Sequence, residues 1–100
     1  MNDKTKFLEQ KVMIASRMLK MLSNQNRLRI LCSLAKGEKT VSELLSILQI
    51  SQSALSQHLT KMKNENILQS DKRGQMVYYY ISNFEVEAII SILHLLYCRE

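Results

Sequence analysis

No apolar run in this 100-residue chain reaches the roughly 20 residues that a bilayer-crossing helix needs. The first ten residues, MNDKTKFLEQ, hold no apolar core of the kind a secretory signal requires. Both absences predict a cytoplasmic protein with no membrane partner. Cysteine occurs twice, at Cys32 and Cys98, too sparsely and too far apart for a zinc ribbon or a CxxC redox motif. In a reducing compartment the default state of both is the thiol. There is no GxGxxG, no P-loop and no HExxH, and the serines, histidines and acids carry no local signature of a catalytic triad. The sequence therefore predicts no enzyme, no cofactor and no resident metal. Glycine stands only at Gly37 and Gly74, and low-complexity tracts are missing altogether.

What is present is a 46% hydrophobic fraction, enough for one domain over residues 1–100 with a real though modest core. The formal net charge of +5 favours a polyanionic partner. That charge is uneven. Residues 1–30 hold seven Lys/Arg against two acids, and residues 84–100 hold one against three.

The most informative stretch is TVSELLSILQISQSALSQHLTKMK, Thr40 to Lys63. Thr40 and Glu43 have capping-box spacing, hydroxyl to the third amide and carboxylate back to the cap's own amide. Leu44, Leu45 and Leu48 follow at helical spacing, so the first helix buries one stripe. Gln49-Ile50-Ser51 interrupts it, and the Ser51 hydroxyl is suited to cap a second helix. Many such turns carry Gly where this chain has Gln49, so a positive φ there would carry strain. In the second helix Ala54, Leu55, Leu59 and Met62 face inward. Gln52, Ser53, Ser56, Gln57, Thr60, Lys61 and Lys63 face out. Short hydroxyls and carboxamides permit close approach to DNA, Gln pairs bidentately with adenine in the major groove, and lysines suit phosphates. The plain alternative is a solvated polar face; the capped helix and tight turn before it favour a helix-turn-helix.

Around that unit, residues from about Lys6 to Leu22 form a helix whose apolar arc is too broad for one contact, counting Phe7, Leu8, Val12, Met13, Ile14, Met18, Leu19 and Leu22. Either Asn24 or Asn26 suits the cap of the next helix, Arg27 to about Ala35, which Gly37 stops. From Gln69 to Ser82 the period changes to that of a strand, and the turn Asp71–Gln75, with Gly74 supplying the permissive dihedral, divides it into a hairpin. Lys72 and Arg73 at its tip make it either a wing or a plain basic turn. Ser82 and Glu85 again have capping-box spacing ahead of a helix from Phe84 to Tyr97 with almost no polar face. The predicted fold is mainly α with a β-hairpin wing, a winged helix-turn-helix that forms a homodimer through the helices at about 6–22 and 84–97.

Over nearly its whole length the chain resembles the ArsR family of winged-helix regulators, on LSNQNRLRILCSL (22–34), VSELLSILQISQSALSQHLTKMK (41–63) and RGQMVYYYI (73–81). The resemblance implies a homodimer on an imperfect palindrome in double-stranded promoter DNA, released by an inducer. It implies that Gln52, Ser53, Ser56 and Gln57 contact bases or nearby backbone. His58 either touches phosphate or completes the packing. From their own chemistry Lys61 and Lys72 suit phosphates, and Arg73 at the hairpin tip suits phosphate or the minor groove. Gln25 stands where many relatives carry Pro.

Cysteines near Val41 to Leu44, and a carboxylate–histidine set on the last helix, would mark the family's metal sensors; of these only His94 is present. The pair Cys32 and Cys98, within RLRILC and LHLLYC, is similar to the HlyU, BigR and SqrR subgroup. That similarity implies a disulfide or polysulfide bridge formed in response to reactive sulfur species or oxidants. A thiolate near basic groups reacts faster, and Arg27, Arg29 and Arg99 are candidates for that field. Two alternatives stand beside it: two small core thiols, or a thiophilic metal or arsenical site using Cys32, Cys98 and His94. A winged-helix interaction module without DNA is the third reading of the whole.

Overall fold

The side chain of Asn2 accepts a hydrogen bond from the Thr5 amide at 2.8 Å and so starts α1 (Asp3–Leu22) three residues ahead of the expected Lys6. The computed structural model of the chain describes residues 2–98, the side chain of Cys98 excepted. Only Met21 and Leu22 of α1 are buried, and its first three turns stand clear of the domain. Asn24 is the cap of α2 (Gln25–Leu34), its Oδ1 accepting from the Arg27 amide at 3.0 Å. Gln25 thus occupies the first helical position, where a relative's proline is equally at home because that N–H has no helical partner.

Gly37, at φ 134°, turns the chain out of α2 into β1 (Lys39–Thr40), a two-residue strand too short to show any period in the sequence. Thr40 then serves twice. It pairs with Tyr78 in the sheet and, nearly fully buried, caps α3 (Val41–Ile47) in a complete capping box with Glu43. Leu48 leaves α3 in extended geometry (φ −102°), and Gln49 is not among the residues at positive φ, so the strain expected there is absent. Ser51 caps α4 (Gln52–Asn64) through the Ala54 amide.

The end of α4 is closed by Asn66 at φ 61°, with Ile67 N–H bonded to Met62 C=O at 2.9 Å and Asn66 N–H to Lys63 C=O at 3.0 Å. This is a Schellman stop, completed by the buried Ile67 and Met62 side chains at its two apolar positions. Strands β2 (Leu68–Arg73) and β3 (Met76–Ile81) pair antiparallel around the two-residue loop Gly74-Gln75. The turn is tighter than the expected Asp71–Gln75, because Asp71 and Lys72 continue the ladder opposite Tyr78 and Val77. The sheet has three strands, in the order β1-β3-β2, where the sequence predicted two.

The cap of α5 (Phe84–Leu93) is Asn83, bonded to the Val86 amide at 3.0 Å, and not the expected Ser82, whose hydroxyl donates to Ile67 C=O. The last helix continues as a π-helical segment, His94–Cys98, in place of the uniform α-helix expected to Tyr97. Positions 94 and 98 are therefore not one α-turn apart. The core gathers Ile30 and Leu31 of α2, Leu44 of α3, Leu55, Leu59 and Met62 of α4, Leu68 of β2, and Val86 and Ile90 of α5. Within that core α4 packs against α3 and β2.

Candidate nucleic-acid interface

Leu55, Leu59 and Met62 anchor one side of α4 in the core at 2% exposure or less, so the opposite side is presented outward. Gln52, Ser53, Ser56, Gln57, Thr60, Lys61 and Lys63 are all exposed, as the spacing predicted. His58 is half-buried on the flank. Its imidazole is held below the usual range first by that burial and then by the nearby Arg27 guanidinium, which favours the neutral ring. Two exposed tethers register α4 against its neighbours. Lys63 Nζ donates to Ser70 Oγ on β2 at 2.7 Å, and Arg17 of α1 makes two 3.1 Å bonds to the Glu65 carboxylate just past the helix.

The wing differs from expectation in one respect. Arg73 is not a free cation at the tip. Its Nη1 and Nη2 each donate to the Glu38 carboxylate at 2.6 Å, Asp71 lies 3.7 Å away, and its guanidinium sits 4.5 Å from the Tyr78 ring centroid. Glu38 is held below the usual carboxylate range by the Arg73 hydrogen bond, and Arg73 is raised by the same bond. A phosphate must compete with Glu38 for this side chain. Glu38→Gln is therefore expected to strengthen binding to DNA of any sequence several-fold and to steepen its salt dependence. Arg73→Ala is expected to weaken binding across sequences and flatten the salt dependence by about one unit of slope. Anisotropy titrations over a range of salt concentrations check both; unchanged slopes in both variants would place the tip away from DNA. Lys72, by contrast, has no ion-pair partner among the described residues.

Cys32 is half-buried and packs against the edge of the core from α2. It lines a surface cavity with His94, the first residue of the π-helical segment, and with Lys36 and Lys39. Of the cations expected to act on it, Arg27 donates Nε to Met21 C=O at 2.7 Å and Arg29 donates to Asn26 at 3.0 Å. The lysines that line the cavity went unnoticed in the sequence, although both follow Cys32 within seven residues. The side chain of Cys98 and the whole of Arg99 lie outside the described residues. Among the described residues no three His, Cys, Asp or Glu side chains gather as a metal site, and no helix is long and apolar enough to cross a membrane.

A capped helix-turn-helix with an exposed Gln/Ser face, flanked by a sheet whose hairpin projects beside it, defines a winged-helix DNA-binding protein. Residues 24–70 match the family described as bacterial regulatory protein, arsR family. The transcriptional activator HlyU of Vibrio cholerae serotype O1 is 46% identical over 82 residues, covering 82% of this chain and 76% of that protein. Among solved structures, reduced HlyU from Vibrio cholerae N16961 superposes with a TM-score of 0.88 at 42% identity, covering 94% of this chain and 99% of that one. The transcriptional repressor BigR from Xylella fastidiosa superposes with a TM-score of 0.87 at 26% identity, covering 94% and 93%. The chain belongs to the ArsR family: it is a DNA-binding transcriptional regulator, not an enzyme.

Proposed function

We propose that the chain acts as a homodimeric regulator on an imperfect palindrome in promoter DNA, with operator affinity lowered when Cys32 and Cys98 are joined through sulfur. The observation that carries the DNA reading is the fully exposed polar face of α4 beside the wing. In this reading Gln52, Ser53, Ser56 and Gln57 meet base edges or adjacent backbone, and Lys61, Lys72 and Arg73 meet phosphates. His58, half-buried on the flank, favours the neutral ring and either packs or donates its one N–H to phosphate. Dimerisation is supported by the large apolar side chains that α1 and the last helix leave exposed, Phe7, Leu8, Met13 and Ile14 on one and Ile92, Leu95 and Leu96 on the other.

The sulfur reading is supported by the half-buried thiol of Cys32 in a basic cavity beside the segment that ends at Cys98, and by kinship with HlyU, a relative solved in a form described as reduced. The chemistry balances with a persulfide, R–S–S–H, as oxidant. One cysteine thiolate attacks its outer sulfur, forming Cys–S–S–H as R–S⁻ leaves. The second thiol, as thiolate, then attacks the protein-bound sulfur and expels HS⁻, leaving a disulfide; if a second persulfide has first converted that thiol to Cys–S–S–H with loss of R–S⁻, its terminal sulfur makes the same attack, expels HS⁻ and leaves a trisulfide.

The direct test of the DNA reading is Gln57→Ala. Loss of one good base contact is expected to weaken operator binding by about 1–3 kcal/mol while leaving binding to random DNA nearly unchanged. Equal losses on both would make Gln57 a backbone or structural contact.

A further inference from the structure

The cavity in front of Cys32 is walled by Cys32, Ser33 and Lys36 from α2 and its end, Lys39 of β1, Ile47 of α3 and His94, and has a volume of about 180 Å³. Among the described residues no acidic side chain lines it. Neither Lys36 nor Lys39 has an ion-pair partner among the described residues, whereas Arg17 and Arg73 are both paired with glutamates. The Nε2 atom of His94 is buried and has no hydrogen-bond partner among the described residues. A buried polar atom left in that state is destabilising until a partner satisfies it. Two unpaired ammonium groups, an unsatisfied ring nitrogen and a half-buried thiol thus share one small dent. Its volume gives room for a carboxylate-sized group.

We propose that this cavity is an anion-recognition site that admits small, negatively charged thiol-reactive species to Cys32 in preference to neutral ones. The proposal rests on the reading of Cys32 as a reactive thiol and adds the chemical class of the inducer: an electrophile carrying a carboxylate or comparable anionic group, such as an acidic persulfide. Lys36 and Lys39 supply the attracting field and also favour the thiolate. Nε2 of His94 is shielded from solvent as the ring stands, and a turn of the ring toward the cavity brings it to donate to the anion. Lys36 and Lys39 follow Cys32 in one short run and His94 comes from far along the chain, so the site is complete only once the last helix packs beside α2.

The test uses the full chain bearing Cys98→Ser, fully reduced, so that Cys32 alone reports. Its alkylation rates by iodoacetate, an anion, and iodoacetamide, its neutral counterpart with the same leaving group, are measured at low salt, each normalised to a free cysteine derivative. The normalised acetate-to-amide ratio is expected to be about tenfold or more above one. It should fall toward one with Lys36→Gln/Lys39→Gln, fall part of the way with His94→Asn, and keep its value with Lys4→Gln/Lys6→Gln, which removes the same charge from α1. A parent ratio at or below one, or equal falls in the two lysine pairs, overturns the anion site while leaving the thiol reactive. Failure of both reagents to modify native Cys32, with modification after denaturation, overturns the site together with the reactive-thiol reading.

Discussion

Leu96→Glu is expected to yield a folded monomer that no longer binds operator DNA with measurable specificity. Leu96 is 63% exposed in the single chain, so a glutamate there disturbs nothing within the domain. Around it stand Ile92, Leu95 and Tyr97, exposed by 57%, 58% and 80%, and no element of the same chain covers them. In a two-fold interface the substitution occurs twice. At about 2 kcal/mol or more for each buried anchor lost, the dimer is weakened by roughly a thousandfold. Operator binding follows, because a monomer engages one half-site at a time. Leu93→Glu is not equivalent. Leu93 packs against the buried core, so a charge there unfolds the domain and reports nothing about assembly. Sedimentation of wild type and Leu96→Glu, with circular dichroism to confirm the fold, makes the check. A variant that remains dimeric at micromolar concentration would place the interface elsewhere.

Persulfide treatment is expected to lower the operator affinity of the wild type by roughly 5–150-fold, and reductant to restore it. Cys32 sits at the core edge on α2, and the last helix carries the proposed interface. A sulfur bridge between them ties the unit that holds α4 to the surface that sets the spacing of two α4 helices. Half-sites lie about one DNA turn apart, so a small change of spacing loses contacts at both. A coupling free energy of about 1–3 kcal/mol suffices for that release. Cys32→Ser and Cys98→Ser are each expected to bind operator normally and to lose the response. Persulfide-induced release that persists in either single variant would overturn the paired mechanism. Mass spectrometry of both positions before and after treatment identifies the bridge as disulfide or polysulfide.

Much of this architecture is legible in the chain because its punctuation is local. Thr40 with Glu43, and Ser51 with Ala54, satisfy helix-end amides within three residues, and such signals survive without any knowledge of the fold. The outward Gln/Ser face of α4 follows from the period that buries Leu55, Leu59 and Met62. Where two local signals competed, only packing chose. Ser82 has the capping-box spacing, but its hydroxyl turns to Ile67 C=O, and Asn83 takes the cap.

Sequence alone therefore determined the helices, the recognition face, the hairpin and an excess of apolar surface at both ends. Tertiary structure decided three things that depend on separate elements meeting. It paired Arg73 with Glu38, 35 positions away, and so left Lys72 as the unpaired cation of the wing among the described residues. It divided the apolar arc of the last helix, sending Val86, Ile90 and Leu93 toward the core and leaving Leu95 and Leu96 out. And it placed Lys36, Lys39 and His94, not Arg27 or Arg29, in the cavity wall with Cys32. Helix caps and periods are short-range and written in neighbouring residues. Ion pairs across elements, the facing of an all-apolar helix and the walls of a cavity arise only when separate segments meet.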